Sequence, residues 1–372
     1  AATASRVGLV ELLAVALLTL WWAARTGAPV RRLAWALVAG VAVYVLAALL
    51  LPWALQDSEG LAGRALVDRL QHAESTCGSR FNLYGNVLHL IALRPWTGWG
   101  WGDLAWAHYI TLYDGPRFCH ILDNAHNLPL HLAVTLGVPA ALLICGALAW
   151  GVWRGRPWAE RDATRQLAWG VLLVIGIHSL VEYPLWYAPF QIAAAVCVTL
   201  LWATHPGRKA AAPRRAPVPV PAVRAALAAA LLAAVGYAAW DYHRISQVYL
   251  PYEQRDARYR DDAMREARHS WLFAGPVRFA EVTSQPATRA NAAWMLPAAL
   301  QALHFSPEPR VITRVIESAT LLGRDDLALA HLARFKAAFA EQAREWDEDN
   351  RRVLAGALHQ FQAASGAAPN SQ

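Results

Sequence analysis

Long apolar stretches alternate with short polar segments through the N-terminal part of the chain. Five stretches approach the roughly 20 residues that a helix needs to cross a bilayer, and a sixth is shorter. They are 7–24, 33–55, 128–153, 167–181, 186–203 and 225–240. The pattern predicts an all-α fold: a polytopic membrane helical bundle with about six spans in this chain.

After residue 240 the pattern changes to charged and amphipathic segments that predict a water-exposed helical domain. Two amphipathic stretches flank Gly323 within residues 308–340 and predict a helical hairpin, which suits a helical repeat and a small bundle equally. The predicted organisation has five parts. They are a membrane core at 1–205, a Pro- and Arg-rich linker at 206–224, the last span at 225–240, the helical domain at 241–364 and a disordered tail at 365–372.

Basic residues concentrate in three of the loops between the apolar stretches. They are Arg25, Arg31 and Arg32 in one loop, Arg154, Arg156, Arg161 and Arg165 in the next, and Arg208, Lys209, Arg214, Arg215 and Arg224 in the last. Because Lys and Arg accumulate in cytoplasmic loops, these three loops are predicted to be cytoplasmic. The large loop 56–127 and the domain after residue 240 are then periplasmic. The net charge of +7 reflects this topology and does not predict nucleic-acid binding.

The composition and the first residues limit what kind of chain this is. Of all residues, 56% are hydrophobic and 16% are charged, whereas soluble domains carry about 25% charged residues. The chain begins at Ala1 and enters an apolar stretch directly, without a signal peptide. We expect it to be the C-terminal part of a longer membrane protein whose first spans precede residue 1.

The cysteines fit the predicted compartments. Cys145 and Cys197 lie within apolar stretches, where a thiol behaves as a small apolar group. Cys77 and Cys119 both lie in the periplasmic loop, where the environment is oxidising. The sequence therefore predicts a disulfide between Cys77 and Cys119, with two free thiols as the alternative.

His126 is the first candidate for catalysis. It lies two residues before an apolar stretch, between Asn124 and Asn127, at the predicted outer membrane surface. A histidine there can take a proton from a hydroxyl, and the two amides can contact a substrate. The alternative is a polar helix cap, since Asn is a favoured N-cap residue.

Two arginines at the same surface are candidates for binding an anion. Arg6 precedes the first apolar stretch, and Arg80 begins an amphipathic segment at 80–93. A guanidinium stays ionised and binds phosphate oxygens in a bidentate way, which suits a lipid diphosphate. For either arginine alone, an extended side chain that reaches the interface is the alternative. Trp99 and Trp101, in a Gly-rich turn, are candidates for membrane anchoring and for stacking on sugar rings.

A third candidate lies in the short turn between the fourth and fifth stretches. Glu182 and Tyr183 stand there, with His178 just before them and Pro184 just after. A carboxylate is costly near the membrane interior, so Glu182 needs a partner or a role. A hydrogen-bonded structural turn is the alternative.

These segments resemble a known family. The motifs SRFNLYGNVLHLIALRPWTGWGWGD, DNAHNLPLHLAVTLGVPAALL and HSLVEYPLWYAPF occur in this order and resemble the core of the O-antigen ligase superfamily. The last motif and the helical domain resemble its O-linking protein oligosaccharyltransferase branch. The resemblance implies inverting transfer of a glycan from undecaprenyl diphosphate to a hydroxyl acceptor, either a Ser or Thr of a periplasmic, pilin-type protein or lipid A–core.

The resemblance also implies roles for residues. His126 corresponds to the essential histidine, most simply the general base, and Arg80 to an arginine that holds the diphosphate. Arg6 fits a second arginine, and Tyr183 falls in a motif whose tyrosine matters in the protein-glycosylating branch. No metal and no cofactor are implied.

Two other functions compete with glycan transfer to a protein or lipid. An O-antigen polymerase, which joins repeat units to one another, shares the large periplasmic loop. A non-catalytic membrane scaffold or transporter belongs to another class. A transporter is expected to place ionisable residues near mid-bilayer, whereas here they gather at one face.

Overall fold

The computed structural model describes residues 6–26, 30–54, 76–205 and 220–366. Within these ranges the regular structure is helical and contains no β-strand, so the all-α prediction is confirmed there. The chain divides into two compact units. The first is Ala1–Leu104 with Leu122–Pro217, and the second is Ala105–Ile121 with Val218–Gln372.

The first unit contains the apolar helices that precede the linker. They are α1 (Arg6–Thr26), α2 (Val30–Ala54), α3 (Arg80–Leu93), α5 (Leu128–Leu136), α6 (Val138–Gly155), α7 (Ala163–His178) and α8 (Ala188–Ala203). Helix α1 packs against α2 and α7, and α7 packs against α8. Helix α5 packs against α3 and α6, which brings two motifs of the sequence together.

Three helices in the described ranges are long and apolar enough to cross a membrane, judged by length and composition. They are Val7–Thr26, Val138–Ala159 and Ala222–Tyr249. Trp35–Ala47 and Ala188–Ala203 are apolar but shorter. The predicted spans 7–24 and 225–240 lie within two of these helices, and the predicted span 128–153 agrees with the third only from Val138 onwards. The other three predicted spans stay predictions.

The predicted span at 128–153 is interrupted at Gly137, where α5 ends and α6 begins. Gly137 has φ 89°, and a Cβ there would lie 2.2 Å from the carbonyl oxygen of Trp96. Gly98 has φ 66°, and its Cβ would lie 2.5 Å from backbone atoms of Thr135. Only glycine tolerates both the positive φ and the close approach of backbone to backbone. The Gly-rich turn after α3 therefore lies directly against the break between α5 and α6.

The second unit contains α4 (Leu104–Ile110) from residue 105 onwards and the helices after the linker. The latter are α9 (Val220–Tyr249), α10 (Ala263–Ala267), α11 (Ala274–Thr283), α12 (Ala292–Phe305), α13 (Pro309–Leu321), α14 (Asp325–Ala338) and α15 (Ala340–Gly366). Helices α12, α13 and α14 pack in sequence. Gly323, with φ 68°, lies between α13 and α14 and lets the chain reverse direction there.

Residues 105–121 belong to the second unit, although the sequence prediction grouped the whole loop 56–127 with the membrane core. Tyr109 is buried in the apolar core with Phe335 and Met295, and its hydroxyl lies 2.9 Å from Nδ1 of His331. Arg334 donates a hydrogen bond to the carbonyl of Ile110 at 2.9 Å. The apolar face of α4 thus completes the helical domain.

Two predicted boundaries shift in the structure. Helix α9 begins at Val220, so the last residues of the predicted linker 206–224 are helical. Helix α15 ends at Gly366, two residues into the tail predicted to begin at Ser365. The rest of that linker and of that tail lies outside the described residues.

Candidate active site

Arg80 and Glu182 form an ion pair between α3 and the turn that follows α7. Arg80 is the first residue of α3, after the N-cap residue Ser79. Its guanidinium donates to the carboxylate of Glu182 and, through its other terminal nitrogen, to the carbonyl of Val181 at 2.7 Å. A cation is unfavourable at a helix N-terminus, and the Glu182 carboxylate offsets it. The side chains of Arg80 and Glu182 are 41% and 31% exposed, so the pair stays accessible.

The same carboxylate contacts His126. Oε2 of Glu182 lies 2.8 Å from Nδ1 of His126, while Oε1 faces Arg80. A carboxylate at Nδ1 favours the tautomer that carries its proton there and leaves the lone pair on Nε2. Across the described part of the chain, no hydrogen bond engages Nε2. His126 is therefore arranged to accept a proton at Nε2.

The backbone of His126 is held in an unusual conformation. Its φ is 49°, in the left-handed region, which costs a non-glycine residue on the order of 1–3 kcal/mol. Its N–H donates to Oδ1 of Asn124 at 2.9 Å. Asn127 accepts from the N–H of Leu130 at 3.0 Å and donates to the carbonyl of Leu180 at 2.8 Å. The amides predicted as substrate contacts thus hold His126 in place and join it to the turn that carries Glu182.

Tyr183 lies edge-on to the imidazole of His126, with ring centroids 4.9 Å apart. Its ring stacks on that of Tyr187 at 5.8 Å. A hydrogen bond with Tyr187, together with burial and nearby negative charge, raises the pKa of Tyr183 to about 12. Tyr183 therefore keeps its proton at neutral pH and is suited to donating a hydrogen bond, not to acting as a base.

The two tryptophans predicted as sugar contacts differ in their surroundings. The indole of Trp99 donates to the carbonyl of Leu90 at 2.9 Å, and the guanidinium of Arg94 lies 4.2 Å from its ring centroid. Trp101 instead stacks on Trp186, with centroids 5.8 Å apart and 14° between the ring planes. Trp99 is thus used in packing, whereas Trp101 presents its ring outward.

Glu11 is a residue that the sequence interpretation passed over. Its Oε1 lies 2.6 Å from Nδ1 of His178, the last residue of α7. The N–H of Glu182 in turn donates to the carbonyl of His178 at 2.8 Å. An acid inside the apolar stretch 7–24 is costly without a partner, and that signal in the sequence could have identified it. Glu11 anchors the turn on which Glu182 and Tyr183 stand.

The remaining predicted residues have these positions. Arg6 is the first residue of α1, and its side chain lies outside the described part of the structure. Cys77 in the first unit and Cys119 in the second are each disulfide-bonded, and Cys145 and Cys197 are free thiols. In the described ranges no group of three or more His, Cys, Asp or Glu side chains is placed to hold a metal ion.

Comparisons with known proteins agree with the resemblance of the motifs. Residues 1–145 match the family described as O-Antigen ligase, and residues 166–354 match the family described as virulence factor membrane-bound polymerase, C-terminal. Over 145 residues, 38% of this chain, the sequence is 30% identical to a General O-oligosaccharyltransferase of Acinetobacter baylyi. The matching stretch covers 24% of that relative's length. No solved structure matches the chain.

Proposed function

The chain belongs to the O-antigen ligase and O-oligosaccharyltransferase superfamily, and we propose that it transfers a glycan from a lipid diphosphate to a hydroxyl acceptor. The observation that carries the proposal is one carboxylate, that of Glu182, which contacts both Arg80 and His126. The cluster combines a cation, an oriented imidazole and, in Tyr183, a protonated hydroxyl. These are the groups that transfer from a diphosphate needs.

In the proposed step His126 is the general base. Nε2 takes the proton of the acceptor hydroxyl while its oxygen attacks the anomeric carbon of the donor sugar. The bond between that carbon and the diphosphate oxygen breaks, and the diphosphate leaves with the electron pair. Attack from the face opposite the leaving group inverts the anomeric configuration. Glu182 stabilises the imidazolium that forms, because its carboxylate lies at Nδ1.

Arg80 is proposed to hold the leaving diphosphate. A guanidinium has five N–H donors, and two are engaged within the described residues. The others are open to phosphate oxygens, and Arg6 is proposed as a second cation. Positive charge at the leaving group stabilises the negative charge that develops there. With the two arginines in this role, the proposed step uses no metal and no cofactor.

The donor is proposed to be a glycan on undecaprenyl diphosphate, and the reaction to occur at the periplasmic face of the inner membrane. The basic residues around Arg25, Arg154 and Arg208 support this orientation, because their charge predicts that these three loops are cytoplasmic. The helical domain after α9 is then periplasmic. This domain, with residues 105–121 in its core, is a suitable place for a protein acceptor to dock.

The acceptor is proposed to be a Ser or Thr of a periplasmic, pilin-type protein, and the similarity to a General O-oligosaccharyltransferase supports this choice. Lipid A–core is the acceptor in the ligase alternative. A polymerase, which uses a hydroxyl of a second glycan, is favoured by the description of the family that matches residues 166–354. The same step at His126 serves all three acceptors. A scaffold or transporter would leave the clustered polar groups without a role.

The test is complementation with the full-length gene. The host makes a lipid-linked glycan, lacks its own ligase and carries a pilin-type protein. Glycan on that protein would support the proposal, glycan on lipid A–core would favour the ligase, and longer glycan chains alone would favour the polymerase. If no product forms although the protein is present in the membrane, glycan transfer is wrong for this chain.

The assignment of the base is tested in the same host with His126→Ala. Loss of the general base is expected to lower transfer by about 10²–10⁴-fold. His89→Ala is the matched control, because this histidine also belongs to the first unit but lies exposed in α3. Undiminished transfer by His126→Ala, at equal protein level, would exclude the proposed role.

A further inference from the structure

Aromatic rings continue from the candidate active site along one side of the first unit. Tyr183 contacts His126 edge-on, and Trp186 contacts Tyr183 edge-on with centroids 6.5 Å apart. Trp101 then stacks on Trp186 at 5.8 Å. His126, Tyr183, Trp186 and Trp101 thus form an aromatic track. It connects the proposed base to a ring that faces outward.

The aromatic track is held from behind by His131. This side chain is buried and lies edge-on to both Trp186, at 4.9 Å, and Trp101, at 5.8 Å. Nδ1 of His131 also accepts a hydrogen bond from the N–H of Ala125 at 3.4 Å, next to His126. The two indoles are therefore fixed relative to the site by a common support.

The outer rings of the track are open. Trp101 is 62% exposed and Trp186 is 39% exposed, although each ring also contacts other aromatic rings. A rigid indole offers a large flat contact area at little cost in conformational entropy. The C–H face of a pyranose ring packs on such a surface while its hydroxyls remain in water. The series of ring contacts leads away from His126, the proposed base, to Trp101.

We propose that Trp101 and Trp186 form a binding site for the second and later sugars of the donor, so that the site selects an oligosaccharide over a single sugar. The inference rests on the proposed function, since it assumes that the donor's first sugar reacts beside His126. It assigns Trp186, which the sequence interpretation did not single out, to substrate binding. Trp99, covered by Arg94, has no part in it.

The test measures donor binding separately from transfer. The full-length protein in nanodiscs is titrated with two labelled donors, a single sugar and a hexasaccharide on the same undecaprenyl diphosphate. Trp101→Leu is expected to weaken binding of the hexasaccharide donor about tenfold more than binding of the single-sugar donor. Trp101→Phe, which keeps an aromatic face, is expected to restore most of the difference.

Trp96→Leu is the matched control, because Trp96 stands in the same turn and is 78% exposed. If Trp101→Leu weakens both donors equally, or if Trp96→Leu has the same effect, the tryptophans anchor the turn in the membrane and the proposal fails. It also fails if the wild type binds both donors with equal affinity. Length-dependent binding without transfer would sustain the oligosaccharide site and contradict the proposed function instead.

Discussion

Oε2 of Glu182 lies 2.8 Å from Nδ1 of His126, while the other oxygen of the same carboxylate accepts from Arg80. One side chain thus orients the proposed base and positions the proposed cation. Glu182 therefore contacts the group proposed to remove a proton from the acceptor and the group proposed to stabilise the leaving diphosphate. Changes at Glu182 should affect the roles of both groups.

Glu182→Gln is expected to lower kcat for transfer by at least about tenfold and to raise the KM for the donor. A neutral amide donates through its NH2 group, so it cannot accept from both Arg80 and His126 as the carboxylate does. The measurement is transfer kinetics with a purified acceptor, at equal protein content of the membrane. Glu341→Gln, an exposed change in α15, is the control. Wild-type kcat and KM for Glu182→Gln would contradict the role given to the carboxylate.

Glu11→Gln is expected to reduce transfer about tenfold, although Glu11 does not contact the proposed catalytic groups. Small displacements of catalytic groups lower the reaction rate by up to about 10²-fold. The carboxylate of Glu11 contacts the ring of His178, and the carbonyl of His178 accepts a hydrogen bond from the N–H of Glu182. The measurement is a double-mutant cycle on transfer with His178→Gln. If the pair acts as a unit, the double variant is no worse than the worse single variant. Additive losses would show that the two residues act separately.

The second unit is expected to lose stability as the pH falls. Burial, with a smaller effect from Arg117, lowers the pKa of His108 to about 3. Burial, assisted by Arg334, lowers the pKa of His331 to about 4. Below about pH 6.5 the two histidines therefore bind protons in the unfolded chain but stay neutral in the folded unit. The contribution of these histidines to the free energy of unfolding is therefore fully kept above about pH 6.5. Each histidine lowers the free energy of unfolding by about 2 kcal/mol by pH 5.

The measurement for this prediction is hydrogen exchange of α12 to α14 at pH 7.5 and pH 5. Protection should decrease at the lower pH. In His331→Asn the decrease should be smaller, because one titrating group is gone, whereas in His359→Asn, an exposed change in α15, it should match the wild type. Equal protection of the wild type at both pH values would contradict the prediction.

The disulfide is expected to join Cys77 to Cys119. In the chain-entropy model a loop of this length stabilises the protein by about 4 kcal/mol. Thiol labelling of the denatured protein should detect two more thiols after reduction than before it. Cys77→Ser should expose one further thiol before reduction, that of Cys119, and Cys145→Ser should expose none. Unchanged labelling on reduction would mean that both cysteines are free.

The apolar pattern and the motifs selected several of the residues that the structure brings together. Arg80, His126, Glu182 and Tyr183 could be selected because each is a polar group that is costly or unexpected beside an apolar helix. The start of α3 at Arg80 agrees with the predicted amphipathic segment at 80–93. These features follow from short-range spacing, which one sequence displays directly.

The sequence by itself determined that this is a helical membrane protein of a glycan-transferring superfamily and where its polar groups gather. Only the tertiary structure decided which of them meet. Glu182 is 102 positions from Arg80 and 56 from His126, and Glu11 is 167 from His178. Periodicity reports which face of a helix is apolar, but not which distant helix packs against it. For the same reason the sequence could not predict that Tyr109 lies in the core of the second unit, beside His331.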